Sequence, residues 1–151
     1  FAKFNPGKLY QLKDLEREGL KLVLADPAAP AGQYSLEFLD KASKLPEYGE
    51  TFKVNVLKNV VSYEVNIRSV LTKVALGEAD AGIVYASDLS TPQGIDVGVM
   101  EIPSALNIDV LYYIAPVQES SQAALAAAFV ELALSQAGQE ILARYGFKMV
   151  Q

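Results

Sequence analysis

The order of strand-like and amphipathic segments in the first half of the chain is the strongest constraint on its fold. Residues 20–25 form a mostly apolar run that predicts a largely buried strand. The spacing of apolar residues then predicts a helix over about 33–43, a second helix ending near Lys58 and a short strand over 60–63. Strands that alternate with helices predict an α/β domain with a largely parallel sheet.

The helix that follows has the clearest boundaries in the sequence. Asn66 is typical of an N-cap, apolar residues follow it with helical spacing, and Gly77 is a suitable stop. The remaining predicted elements are strands over 81–85, near 97–102 and near 110–115, and helices over 121–134 and 136–145.

Composition excludes several kinds of chemistry. The chain of 151 residues has room for one domain with a core, and it contains no His and no Cys. Disulfides, thiol nucleophiles, Ser-His-Asp triads and the usual structural zinc sites are therefore excluded. The net charge of -5 and the lack of a basic stripe make nucleic acid an unsuitable partner. No apolar run reaches the roughly 20 residues that a membrane span requires.

The first seven residues, Phe-Ala-Lys-Phe-Asn-Pro-Gly, are not typical of a natural start. They contain no initiator Met and none of the basic and apolar regions of a signal peptide. We interpret them as a segment from within a longer polypeptide, which was either processed or cut.

Three features point to a site for an anion. Ligands of open α/β sheets bind beyond the carboxyl ends of the strands, against helix N-termini. One such helix start is predicted at Ala31 and Gly32, where glycine lets the backbone approach a guest closely, and another at Asn66 and Ile67. Tyr85 adds a phenol at the end of a predicted strand. Together they predict a pocket of neutral hydrogen-bond donors.

Each of these residues also has an ordinary structural interpretation. Helix starts need capping in any fold, and Tyr85 suits a rim position with a satisfied hydroxyl. Arg68 can pair with an anion or with Glu64. Asp80 and Asp88 can act as an acid–base pair, but without a nearby His, Cys or metal cluster, solvated loop acids are the better interpretation.

Four segments, in this order, carry a resemblance to a known family. They are Asp-Pro-Ala-Ala-Pro-Ala-Gly-Gln-Tyr at 26–34, Asn-Ile-Arg at 66–68, Asp-Ala-Gly-Ile-Val-Tyr-Ala-Ser-Asp at 80–88 and Ala-Arg-Tyr-Gly-Phe at 143–147. In these segments the chain resembles the periplasmic molybdate-binding proteins of ABC importers. The resemblance runs from about Lys21 to the end.

The resemblance implies a fold and a mode of binding. The fold is a lobe of a type II periplasmic binding protein, with three layers and a mostly parallel sheet. The oxyanion, molybdate or tungstate, lies in the cleft between two lobes, with no metal cation, no cofactor and no catalysis. The main-chain N–H groups of Ala31 and Ile67 and the hydroxyl of Tyr85 are the implied donors, supported by Gly32 and Asn66. The family usually carries Val at the position of Ile67, and the amide is unchanged by that difference.

The resemblance also implies a location, a partner and a division of the chain. It implies a periplasmic or extracytoplasmic protein that delivers its ligand to an ABC permease. Residues 1–104 correspond to the second lobe, and residues 105–151 to a crossover strand and the C-terminal helices that complete the first lobe. The rest of the first lobe, with its Ser or Thr donors, has no counterpart here. We therefore expect a fragment that binds molybdate weakly and forms a homo-oligomer through its apolar C-terminal helices.

Several alternatives stay open at this point. The ligand of a protein with this fold can be another tetrahedral oxyanion, such as sulfate, thiosulfate or a phosphonate. The same two-lobe architecture occurs in effector-sensing domains of transcription regulators. An enzyme would have to use Tyr85, Asp88 and Arg68, which assemble no activated nucleophile.

Overall fold

The computed structural model describes residues 1–150, and within residues 1–108 it contains a three-stranded parallel sheet. Its strands are β1 (Leu22–Ala25), β2 (Val60–Glu64) and β3 (Ala81–Gly82), arranged in the order β2-β1-β3. Leu22 of β1 pairs with Val60 on one side and Ala81 on the other. All four residues of β1 are buried, as expected for the central strand of a covered parallel sheet.

Helices cover both faces of the sheet. The α-helices are α1 (Pro30–Ser43), α2 (Phe52–Lys58), α3 (Ile67–Ala75), α4 (Ala123–Leu134) and α5 (Gln136–Arg144), and short 3-10 helices lie at Leu12–Glu16, Ala86–Ser90 and Pro92–Asp96. Leu22 packs in one core cluster with residues of α1 and α2, including Phe38 and Phe52. Val23, the next residue of β1, packs in a second cluster with Val70 of α3. Successive side chains of β1 point to opposite faces of the sheet, so a helix layer packs against each face.

The chain divides into two compact units, Phe1–Ile108 and Asp109–Gln151. The first unit holds the sheet and α1 to α3. The second holds α4 and α5, an edge-on contact between the rings of Tyr112 and Phe147 at 5.7 Å, and an ion pair between Lys148 and Asp109. None of the residues in α4 is buried.

Most of the predicted elements are confirmed. The α/β class and the parallel sheet are as predicted, and β1, β2 and α2 to α5 agree with their predicted positions to within a few residues. Asn66 is the N-cap of α3, and its side chain accepts a hydrogen bond from the N–H of Ser69. The helix predicted from Gln33 begins at Pro30 instead, because proline has the backbone angle of a first helical residue and needs no N–H partner there.

Three strand predictions were wrong in part or in whole. The strand predicted over 81–85 ends at Gly82, and residues 97–102 form a single antiparallel bridge, between Ala2 and Val97. Residues 110–115 form no strand. All three segments have the apolar pattern of a strand, but a strand also needs a neighbour to pair with its main chain. In residues 1–150, apart from Phe1 and Ala2 beside Val97 and Gly98, no segment pairs with these residues as that neighbour.

Candidate functional site

The carboxyl ends of β1, β2 and β3 lie along one edge of the sheet, because all three strands are parallel. The main-chain N–H of Asp26, just after β1, donates to the carbonyl oxygen of Glu64, the last residue of β2, at 2.8 Å. The chain then runs from β1 into α1, from β2 into α3, and from β3 to Tyr85. Each residue singled out in the sequence therefore follows a strand at the edge where α/β proteins bind their ligands.

The first turn of α1 is left without a side-chain cap. Asp26 shapes the turn before it, since its main-chain carbonyl accepts the N–H of Ala29 and its carboxylate accepts the N–H of Ala28, both at 2.8 Å. Ala29 is the N-cap and supplies no capping side chain. The N–H groups of Ala31 and Gly32 belong to the first helical turn, where the helix provides no acceptor. They are donors at the positive end of the helix dipole.

Gly32 seats this helix directly on the end of β1. A Cβ atom added to Gly32 would lie 2.1 Å from the carbonyl oxygen of Asp26 and 2.7 Å from that of Ala25, distances that no side chain tolerates. The sequence suggested that this glycine makes room for a ligand. In the structure, the close neighbour that leaves no room for a side chain at Gly32 is the main chain at the end of β1.

The first turn of α3 is capped but keeps two donors. The Oδ1 atom of Asn66 accepts the N–H of Ser69 at 3.0 Å, and Asn66 itself has extended backbone angles. The N–H groups of Ile67 and Arg68 remain in the first turn, with no acceptor in the helix. The side chain of Ile67 is partly buried against the core cluster that contains Val70. Asn66 thus fixes the turn, and Ile67 anchors it to the core.

Tyr85 leads into the 3-10 helix Ala86–Ser90 and is partly buried. Its main-chain N–H donates to Oδ2 of Asp88 at 3.0 Å. Burial raises the pKa of Asp88, while the hydrogen bond from Tyr85 and the positive charge of Arg68 act in the opposite direction. The positive charge of Arg68, in the first turn of α3, is the weakest of these three effects on Asp88.

The structure shows the partners of Glu64 and Asp80, two acidic residues that the sequence analysis discussed. Glu64 pairs with Lys73 of α3, whose Nζ lies 2.5 Å from Oε1 of Glu64, and not with Arg68. Lys73 also donates to Ser62 of β2 at 3.0 Å, and its hydrogen bond to Glu64 lowers the pKa of that carboxyl group. Asp80 accepts the N–H of Lys21 at 2.8 Å, so this acid holds two chain segments together.

One core cluster connects the three parts of the candidate site. Ala31, Ile67 and Val84 are all partly buried and pack against the same buried residues, which include Val23 and Ala25 of β1. The starts of α1 and α3 and the residue before Tyr85 thus surround one end of the central strand. This arrangement offers amide N–H groups and helix dipoles, which suit an anion.

Within residues 1–150, His, Cys, Asp and Glu form no group of three or more that is arranged for a metal ion. In the same part of the chain, no helix combines the length and apolarity needed to cross a bilayer.

A model of the bacterial extracellular solute-binding protein family matches residues 1–148. The chain belongs to this family. It is 34% identical over 146 residues to the molybdate-binding protein ModA of Mycobacterium tuberculosis and to that of Mycobacterium bovis, an alignment that covers 97% of this chain and 51% of each relative. This solute-binding protein chain thus spans about half the length of the curated relatives it matches.

Two solved structures have the same fold. One is the substrate-binding domain assigned to a molybdenum ABC transporter of Clostridium difficile, with 24% identity and a TM-score of 0.69 over 99% of this chain and 62% of that one. The other is PEB3 with bound L-phospholactate, with 21% identity and a TM-score of 0.72 over 99% of this chain and 63% of that one. They support the predicted solute-binding-protein fold of this chain.

Sequence reasoning missed the residues that hold the site edge together. These are Asp26, which shapes the turn before α1, and the group formed by Ser62, Glu64 and Lys73. Asp before Pro is a known signal for a side chain that caps its own turn, so Asp26 was open to prediction. The Lys73 contact joins a helix to a strand across nine residues or more and has no comparable local signal.

Proposed function

We propose that this chain is part of an extracytoplasmic solute-binding component of an ABC importer and helps to hold molybdate or tungstate for delivery to a permease. The observation that carries the proposal is that α1 and α3 both begin at the carboxyl edge of the sheet with N–H donors left over in their first turns. The identity to molybdate-binding relatives supports the choice of ligand. The proposed donors are the amides of Ala31 and Ile67 and the hydroxyl of Tyr85, with Gly32 and Asn66 in support.

Neutral donors explain how an acidic chain can bind a dianion. The chain has a net charge of -5, which opposes the approach of an anion only weakly at physiological ionic strength. Local amide dipoles act at hydrogen-bond distance and dominate once the ligand is seated. A rigid set of such donors selects by the size of a tetrahedral ion, which favours molybdate and tungstate over the smaller sulfate.

The proposed division of labour within the chain follows from its length relative to its relatives. Residues 1–104 would form one lobe, and residues 105–151 would contribute a crossover segment, which forms no strand in this structure, and two helices to the other. Relatives of about twice this length would have further donors on that other lobe. Each charge-assisted hydrogen bond contributes about 1.5–3 kcal/mol, so the absence of three or four lowers affinity by at least roughly three decades.

A titration followed by NMR tests this proposal on the chain itself. Adding molybdate to isotopically labelled protein is expected to shift the amide signals of Ala31, Gly32 and Ile67 along one saturable curve, with half-saturation well above the micromolar range. Sulfate at the same ionic strength serves as the matched control and is expected to shift them less.

Three results would contradict the proposal in different ways. Unchanged amide signals at Ala31 and Ile67 would show that molybdate does not bind at the proposed site. Equal or larger shifts with sulfate, thiosulfate or a phosphonate would reassign the ligand within the same fold. A calorimetric dissociation constant below the micromolar range would show that the other lobe's donors are not needed.

We also propose that copies of this chain associate through the C-terminal helices. Support comes from α4, in which every residue but Glu131 is apolar and none is buried, with Leu125, Phe129 and Leu132 all more than half exposed. Light scattering is expected to give the molar mass of a dimer or a larger oligomer. The Phe129→Glu variant is expected to give a molar mass closer to that of the monomer. A compact monomer at high concentration would disprove the association.

A further inference from the structure

Glu64, the last residue of β2, is bonded to both helix starts of the candidate site. Its main-chain carbonyl accepts the N–H of Asp26 at 2.8 Å, and Asp26 in turn shapes the turn before α1. The carboxylate of Glu64 pairs with Lys73 of α3 at 2.5 Å. One residue therefore links the segment that leads to the Ala31 amide with the helix that begins at Ile67.

The side-chain part of this link is a closed ring of hydrogen bonds. Nζ of Lys73 donates both to Glu64 and to the hydroxyl of Ser62, and that hydroxyl donates to the carboxylate of Glu64. The side chain of Glu64 is 13% exposed and that of Lys73 is 33% exposed. The bond from Lys73 lowers the pKa of Glu64, so the pair stays ionised at neutral pH. Partly shielded, charge-assisted bonds fix a geometry better than an exposed ion pair does.

The position of Lys73 along α3 gives this link leverage over the start of the helix. Only Val65 and Asn66 separate the end of β2 from the first residue of α3. Lys73 lies in the last turn of the helix. The chain therefore holds α3 to β2 at its start, and the ion pair holds it to β2 at its end. A helix held at both ends cannot pivot about its start, so the direction of the Ile67 N–H is fixed.

We propose that Glu64 is a positioning residue that sets the spacing between the amides of Ala31 and Ile67, and with it the preference for a large tetrahedral oxyanion over a small one. This inference rests on the proposed function, in which both amides bind one ion. Two donors held at a fixed spacing fit one size of ion, while donors that can move also adapt to a smaller one. Loss of the link therefore weakens molybdate binding more than sulfate binding.

Two variants break the link from opposite sides. Glu64→Ala removes a negative charge and Lys73→Met removes a positive one, so an effect of charge alone would have opposite signs in the two. Molybdate and sulfate are both dianions, so such an effect would also change their two affinities together.

The measured quantity is the half-saturation concentration of sulfate divided by that of molybdate, read from the amide signals of Ala31 and Ile67. Both variants are expected to lower this ratio by about threefold or more. The double variant is expected to lower it no further, because either substitution alone already breaks the link.

Amide exchange without any ligand tests the same link. The N–H groups of Asp26 and Leu22, at the two ends of β1, donate to the carbonyls of Glu64 and Asn59 at 2.8 and 2.9 Å. Both variants are expected to speed exchange at Asp26 by about threefold or more and to leave Leu22 unchanged. A general loss of stability would speed exchange at both ends, and that result would contradict the positioning role.

Glu78→Ala is the matched control. Glu78 is exposed, it follows α3, and within residues 1–150 its side chain takes part in no hydrogen bond or ion pair. This variant is expected to change neither the ratio nor the exchange rates. If the unsubstituted chain binds molybdate but Glu64→Ala and Lys73→Met keep its ratio, the positioning role of Glu64 is wrong. If the unsubstituted chain responds to no oxyanion, the proposed function fails, and this inference fails with it.

Discussion

Replacing Ile67 with proline is expected to raise the molybdate concentration needed for half-saturation by about 10- to 100-fold. The substitution removes one N–H donor from the first turn of α3, and a charge-assisted hydrogen bond contributes about 1.5–3 kcal/mol. Proline suits this position, because Ile67 is the first residue of the helix and Asn66 before it has φ -151° and ψ 161°. The amide signal of Ala31 is the reporter.

The matched control for this variant is Ile67→Ala. Alanine removes more of the side chain that packs against the core, but it keeps the N–H. It is expected to hold the half-saturation point within about threefold while lowering the unfolding midpoint. If Ile67→Ala weakens binding as much as Ile67→Pro, the side chain matters and the proposed amide donor is wrong.

Replacing Gly32 with alanine is expected to lower the free energy of unfolding by about 3 kcal/mol. The new Cβ would lie 2.1 Å from the carbonyl oxygen of Asp26, so the start of α1 would have to move away from β1. Overpacking of this kind costs about 1–3 kcal/mol, and here both sides of the clash are main chain and yield little. Denaturant unfolding measures the difference.

Gly49→Ala is the control for the backbone conformation of glycine. Gly49 has φ +88°, and a Cβ there would meet nothing within 4 Å, so its only cost is the left-handed conformation, about 1–2 kcal/mol. We expect Gly32→Ala to be clearly more destabilising and also to shift the amide signals of the α1 start. Equal losses for the two variants would contradict the steric role assigned to Gly32.

The comparison of α3 with residues 97–102 shows why the sequence predicted some elements and not others. A helix makes its main-chain hydrogen bonds within itself, so Asn66, the apolar spacing and Gly77 were enough to define α3. A strand depends on a neighbour that the local sequence does not describe. Residues 97–102 have the pattern of a strand but only one bridge, because a partner along the rest of the segment is lacking in residues 1–150.

For the candidate site, the sequence indicated where the donors would lie but not what supports them. Helix starts after strands are visible in a one-dimensional pattern, and so Ala31 and Ile67 could be named. The link between Lys73 and Glu64 and the influence of Arg68 on Asp88 depend on how α3 packs against β2 and the loop after β3. Such contacts join residues far apart along the chain and emerge only from the three-dimensional packing.

The uncapped first turn of α1 has a consequence for how such proteins diverge. Every amino acid except proline carries a main-chain N–H, so residue 31 can be substituted by many other amino acids and the donor is kept. The selective pressure would fall instead on the neighbours that shape the turn, above all Gly32 and Asp26. Under the proposed function, related chains with different side chains at positions 31 and 67 can therefore still offer an anion the same two main-chain N–H groups.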